Sequence, residues 1–181
     1  MKYDRTLVVN FFAGPGTGKS TTMAHCFAEL KWKGWDCEMA PEFAKDKVWE
    51  GSEHVLKNQF YISGKQYHRM MRLQGKVQII LTDSPLLLAT YYGRREPDEF
   101  SELLKKYHKN FENLNIFLER DKKYNPNGRL QTFEEAKAID VEFLNLLREE
   151  RESFVCIEAT RDNIEKIVKI IEDRFNQGLP F

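Results

Sequence analysis

Residues 13–20 read Ala13-Gly14-Pro15-Gly16-Thr17-Gly18-Lys19-Ser20, directly after the apolar run Thr6-Leu7-Val8-Val9-Asn10-Phe11-Phe12. Three glycines let a backbone curl tightly and aim its N–H groups at phosphate oxygens. The lysine supplies a point charge for the β- and γ-phosphates, and the neighbouring hydroxyl is a natural Mg²⁺ ligand. The pattern is Gly-x-x-x-x-Gly-Lys-Ser/Thr between a strand and a helix, with Ala13 at its first position as a mild departure. Gly14, Pro15, Gly16, Thr17, Gly18, Lys19, Ser20 and Thr21 are therefore the expected contacts of a nucleoside triphosphate, with Mg²⁺ as its companion ion.

Two carboxylates fall where phosphoryl chemistry needs them. Asp83 ends the apolar segment 77–82, so it reaches the phosphate loop if the two strands are neighbours, and with Ser20 it forms the expected metal set. It also suits a helix start, since Asp-Ser-Pro follows capping rules. Glu42 follows the short segment 36–40 and can accept or orient the proton of an acceptor hydroxyl; a solvated helix-start carboxylate is the competing reading. Arg120, Lys122, Lys123 and Arg129 flank a polar, turn-rich stretch at 119–131, where cations can close over a triphosphate. Arg120 and Arg129 lead this group because a guanidinium grips phosphate oxygens bidentately. Arg69 and Arg72 share a helix face and read as a surface pair ahead of a contact for an anionic acceptor, while Phe43, Trp49, Tyr61 and Tyr67 are either base-stacking rings or plain core.

These residues need a scaffold, and the chain alternates strand and helix. Strands are predicted at 6–12, 36–40, 77–82, 115–118 and 154–158, and helices at 19–33, 58–73, 86–92, 98–111, 133–151 and 163–175, with one or two helical turns at 42–49. Five buried strands separated by helices imply an α/β domain: a five-stranded parallel sheet with helices on both faces, a single unit over 1–181. Residues 119–131 follow a strand, so they are expected to hang over the nucleotide crevice as a mobile lid.

Composition narrows the setting. Lys and Arg number 28 against 28 Asp and Glu, so no global basic field announces a nucleic-acid partner. Cys26, Cys37 and Cys156 lie far apart in apolar segments and read as buried reduced thiols. The four histidines lack paired ligand spacing and read as packing or surface residues. No signal peptide or membrane-length stretch is present, which points to a cytoplasmic protein with no membrane partner; homodimerisation stays open.

Gly-Pro-Gly-Thr-Gly-Lys-Ser, Glu-Phe-Ala-Lys-Asp, Thr-Asp-Ser-Pro and Tyr-Asn-Pro-Asn-Gly-Arg together resemble small phosphate-loop kinases of the thymidylate-kinase and ribosylnicotinamide-kinase type, especially versions carried by bacteriophages. The resemblance implies ATP, Mg²⁺, a lid, a Glu42 that faces the acceptor hydroxyl and an Arg129 on the lid. It also implies an adenine packed against Ala159-Thr160-Arg161-Asp162, with Thr160 and Arg161 as contacts, and host cytoplasm as the compartment of a phage-encoded protein. Pro15 and Ser84 stand where thymidylate kinases keep an acid and an arginine for their monophosphate. That departure, with the phage likeness, implies a nucleoside-type acceptor other than a free monophosphate, the leading one being the 5-hydroxymethyl group of 5-hydroxymethyluracil in DNA. A free nucleoside or nucleotide is the alternative. A regulatory NTPase is a third reading, disfavoured because AAA-type motors carry Asp-Glu where this chain has Asp83-Ser84, and a further helical domain.

Overall fold

The computed structural model describes residues 2–121 and 132–177. Five strands, β1 (Leu7–Phe12), β2 (Cys37–Met39), β3 (Ile79–Thr82), β4 (Glu112–Glu119) and β5 (Phe154–Glu158), form one parallel sheet in the order β2-β3-β1-β4-β5. The helices between them are α1 (Lys19–Trp32), α2 (Phe43–Trp49), α3 (Gln59–Met71), α4 (Leu88–Tyr92), α5 (Asp98–Lys109), α6 (Phe133–Glu149) and α7 (Ile164–Gln177). A 3-10 turn at Glu53–Lys57, not foreseen in the sequence, joins α2 to α3.

Alternation along β1 divides the core. Leu7, Val9 and Phe11 meet Met23, Cys26 and Leu30 of α1 and Ile164, Ile167, Val168 and Ile171 of α7. Val8 packs with Met70 of α3, and Phe12 with Phe143 and Leu147 of α6, on the opposite face. Burying both faces is what makes these strands apolar runs. Helix ends follow local chemistry. Thr132 and Glu135 form a reciprocal capping box at the start of α6. Gly34, at φ 88°, ends α1 by letting Trp35 N–H reach back to Leu30 C=O at 3.0 Å.

Three expectations need correction. β4 begins at Glu112, three residues before the predicted start, because Asn113 and Asn115 accept hydrogen bonds from Asn10 Nδ2 at 2.8 and 3.0 Å. Polar residues that satisfy one another inside a sheet look like loop in a sequence. Cys26 and Cys37 are buried as expected, but Cys156, on the edge strand β5, is exposed. Phe43 and Tyr67 join the core, whereas Trp49 is 75% exposed.

Candidate active site

The site forms where β1, β3 and β2 end side by side. Register pairs Asn10 with Thr82 and Met39 with Leu81, so the phosphate loop, Asp83 and the turn carrying Glu42 leave the same edge of the sheet. This is the carboxyl edge at the point where the chain leaves β1 for β2 past β3 and later passes from β3 across β1 to β4, the kind of switch point where open α/β sheets hold their ligands. Gly18, at φ 112°, turns the loop into α1, whose first turn carries no acidic residue. The positive end of that helix is thus left for an anion.

Contacts inside the loop hold its shape. Thr17 Oγ1 donates to Gly14 C=O at 3.0 Å. Lys19 Nζ donates to Ala13 C=O at 2.7 Å and to Gly14 C=O at 3.1 Å. Desolvation pushes the Lys19 ammonium below its ordinary value, opposed by the charges of Glu42, Asp83 and Asp140. A phosphate anion bound beside it would favour the charged ammonium.

Asp83 is buried and uses both oxygens: Ser20 Oγ donates to Oδ2 at 2.5 Å, and Glu42 N–H donates to Oδ1 at 3.0 Å. One carboxylate therefore ties the phosphate loop to the Glu42 turn. Because Ser20 gives its proton to Asp83, its lone pairs remain available, and a hydroxyl beside a carboxylate is a hard-oxygen set suited to Mg²⁺. No group of three or more His, Cys, Asp or Glu that would cage a metal exists among the described residues.

The Glu42 turn is fixed from several sides. Gln66 accepts from Phe43 N–H at 2.9 Å and donates to Ala40 C=O at 3.3 Å, and Thr82 Oγ1 donates to the same carbonyl at 2.8 Å. Burial raises the Glu42 carboxyl above the usual carboxylate range, with the Lys19 charge opposing. A base with a raised value is better matched to neutral pH. Tyr92, 44% exposed, is a neighbour that the sequence did not mark; desolvation of its phenol by the packed protein around it, and then the Glu42 charge, push it up.

Arg120 pairs with Asp140 of α6, and its Nη2 donates to Ala136 C=O at 3.2 Å. Asp140 Oδ1 accepts the N–H of Gly14 at 2.5 Å. The expectation that Arg120 reaches phosphates thus meets a guanidinium held by a carboxylate beside the loop. Asp140, 126 residues from Gly14 in sequence, carried no signal that could have found it. Arg129, Lys122 and Lys123, and with them most of the expected lid, lie outside the described residues. Arg69 is not available to an acceptor: it pairs with Asp46, donates to Pro41 C=O at 3.0 Å and lies over the Phe43 ring. Ala159 Cβ lies 3.8 Å from where a Cβ on Gly18 would stand, which brings the Thr160–Arg161 turn alongside the phosphate loop.

A parallel β2-β3-β1-β4-β5 sheet with a Gly-x-Gly-Lys-Ser loop at its carboxyl edge defines a phosphate-loop NTPase fold. Residues 8–166 match a family described as AAA domain, and the chain belongs to that family. Its Asp83-Ser84 nevertheless stands where AAA-type motors carry Asp-Glu. No curated protein matches the chain. Among solved structures it is similar to the NadR protein in complex with NR, with a TM-score of 0.67 at 14% identity over 93% of this chain and 50% of that one. The chain therefore spans about half the length of that protein, and the likeness is one of fold. No helix among the described residues is long and apolar enough to cross a membrane.

Proposed function

We propose that the protein is a kinase that transfers the γ-phosphoryl group of ATP to a hydroxyl of a nucleoside-type acceptor. The observation that carries this is the Ser20–Asp83–Glu42 chain, which sets a metal-binding hydroxyl and the half-buried Glu42 carboxylate on one support. A hydrolase needs only to position water; a carboxylate with a raised value beside the phosphate lysine suits an alcohol's proton.

The acceptor oxygen attacks the γ-phosphorus while the bond to the β-phosphate oxygen breaks, and ADP leaves. Glu42 takes the acceptor's proton and later returns it to solvent. Lys19 and the amides of Gly16, Gly18 and Lys19 bind the phosphates, with adenine beside Thr160 and Arg161. Bound Mg²⁺, held by Ser20 with Asp83 behind it, would neutralise charge on the phosphate oxygens.

For the acceptor, the leading reading is the 5-hydroxymethyl group of 5-hydroxymethyluracil in DNA, with a free nucleoside or nucleotide as the alternative. Pro15 and Ser84 support it by lacking the side chains expected for a free monophosphate. Trp49 and Phe60, 75% and 70% exposed, offer rings to unstacked bases. The loss of Arg69 to Asp46 weakens the basic track that DNA would need. Labelled ATP, incubated with free nucleosides, monophosphates, plain DNA and hydroxymethyluracil DNA, decides between them. Transfer to the modified DNA, strongly reduced by salt, is the expected result. Transfer to thymidine or its monophosphate with none to modified DNA would assign the free acceptor.

A further inference from the structure

At the opposite edge of the sheet from the phosphate loop, β5 begins level with Asn115, so the first residues of β4 project beyond it. The notch left beside them is a cavity of about 300 Å³, walled by Phe111, Leu114, Phe154 and Val155 and by the cations Lys109, Arg151 and Arg174. Such a volume is at the small end of ligand pockets. We infer that this notch is a binding site for a small organic anion, a phosphate or carboxylate head on an apolar or aromatic body, separate from the nucleotide and acceptor sites.

Charge supports the head group. Arg174 is paired with Glu112 at 3.4 Å, and Glu112 also pairs with Arg5. The acid in the wall, Glu152, is turned inward: it accepts from Asn115 Nδ2 at 3.0 Å and lies 3.6 Å from the buried His108. The His108 imidazole beside it, with the Asn115 amide and the Lys109 charge, holds Glu152 below the usual carboxylate range, so this one carboxylate faces the inner wall of the notch. Lys109 and Arg151 remain, with no side-chain ion pair among the described residues, and the open mouth is left positive.

The backbone supports it independently. Arg151 has φ 55°, the one non-glycine residue at positive φ among those described. It sits just past the end of α6, where Gly or Asn is the usual choice because other side chains cost about 1 kcal/mol or more there. Glycine would end the helix with less strain. A strained arginine, kept at the rim of a positive cavity, is explained by what its guanidinium holds. The apolar walls account for the body of the ligand, since inorganic phosphate alone has no use for two phenylalanines.

The test is an amide-resolved NMR titration of the full chain with three probes: inorganic phosphate, a nucleoside monophosphate and benzoate. Saturable shifts are expected at residues 109–115 and 151–155, separate from any at 13–21, and tighter for the two organic anions than for inorganic phosphate. Arg151→Gly should weaken notch binding about tenfold or more, one charge-assisted contact, while leaving phosphate-loop shifts unchanged and the melting temperature equal or higher. Which organic anion binds more tightly tells a phosphate head from a carboxylate head. Shifts confined to the phosphate loop, or full notch affinity in Arg151→Gly, would overturn the site. Equal affinity for all three probes would overturn the apolar body.

Discussion

Gly14→Ala is the perturbation whose cost the geometry defines most closely. Gly14 is not among the residues at positive φ, so alanine is compatible with its backbone and only space opposes it. A Cβ there would lie 2.6 Å from Ala136 C=O, 2.7 Å from Asp140 Oδ1 and 3.0 Å from Arg120 Nη2. The first of these is a helix carbonyl that cannot swing aside. Reaching ordinary contact requires about 0.8 Å of separation between α6 and the phosphate loop. Overpacking of that kind costs about 1–3 kcal/mol. The same shift stretches the 2.5 Å hydrogen bond from Gly14 N–H to Asp140, charge-assisted and worth about 1.5–3 kcal/mol. Because one movement causes both losses they overlap, and about 3 kcal/mol is expected. For a chain of this length that lowers the melting temperature by roughly 6–12 °C. Differential scanning calorimetry measures the drop, and ATP titration should show weaker binding. A melting temperature within 2 °C of the parent, with unchanged ATP affinity, would refute the packing of α6 against the loop.

Three further outcomes follow from the site. Activity should fall as pH drops through the Glu42 value, because the proton acceptor is then occupied; burial raises that value, so the acid limb of kcat lies above the usual carboxylate range, and Glu42→Gln removes the limb along with most turnover. Asp83→Asn, which weakens the hold on Ser20, should raise the Mg²⁺ concentration for half-maximal rate about tenfold or more with a smaller change in acceptor KM; an unchanged Mg²⁺ profile argues that Asp83 only caps its turn. Asp140→Asn keeps an acceptor for Gly14 N–H but uncharges the partner of Arg120, and should cost about 2–3 kcal/mol in urea unfolding. Adding Arg120→Gln to that variant should restore part of the loss if the pair is coupled.

What the sequence disclosed and concealed follows from range. The phosphate loop is one contiguous stretch, so residue types and spacing alone defined it. Asp83 and Glu42 could be placed beside the loop because strand ends are local features and the sheet order brings those ends together. Asp140 and Tyr92 could not, since each reaches the site through a helix packing that no spacing encodes. Arg69 misled for the same reason: its partner Asp46 lies on another helix. The early start of β4 was hidden by asparagines that hydrogen-bond to Asn10 only once β1 and β4 are paired.

The central claim is that the Lys19–Ser20–Asp83–Glu42 cluster passes a phosphoryl group to an alcohol. The direct measurement is the fate of the label from γ-labelled ATP across the acceptor panel, in the parent, Glu42→Gln and Lys19→Ala. The account predicts Mg²⁺-dependent label on one acceptor in the parent, little in Glu42→Gln despite retained ATP binding, and none in Lys19→Ala. Label appearing solely as inorganic phosphate, at a rate that no acceptor alters and Glu42→Gln does not change, would contradict it.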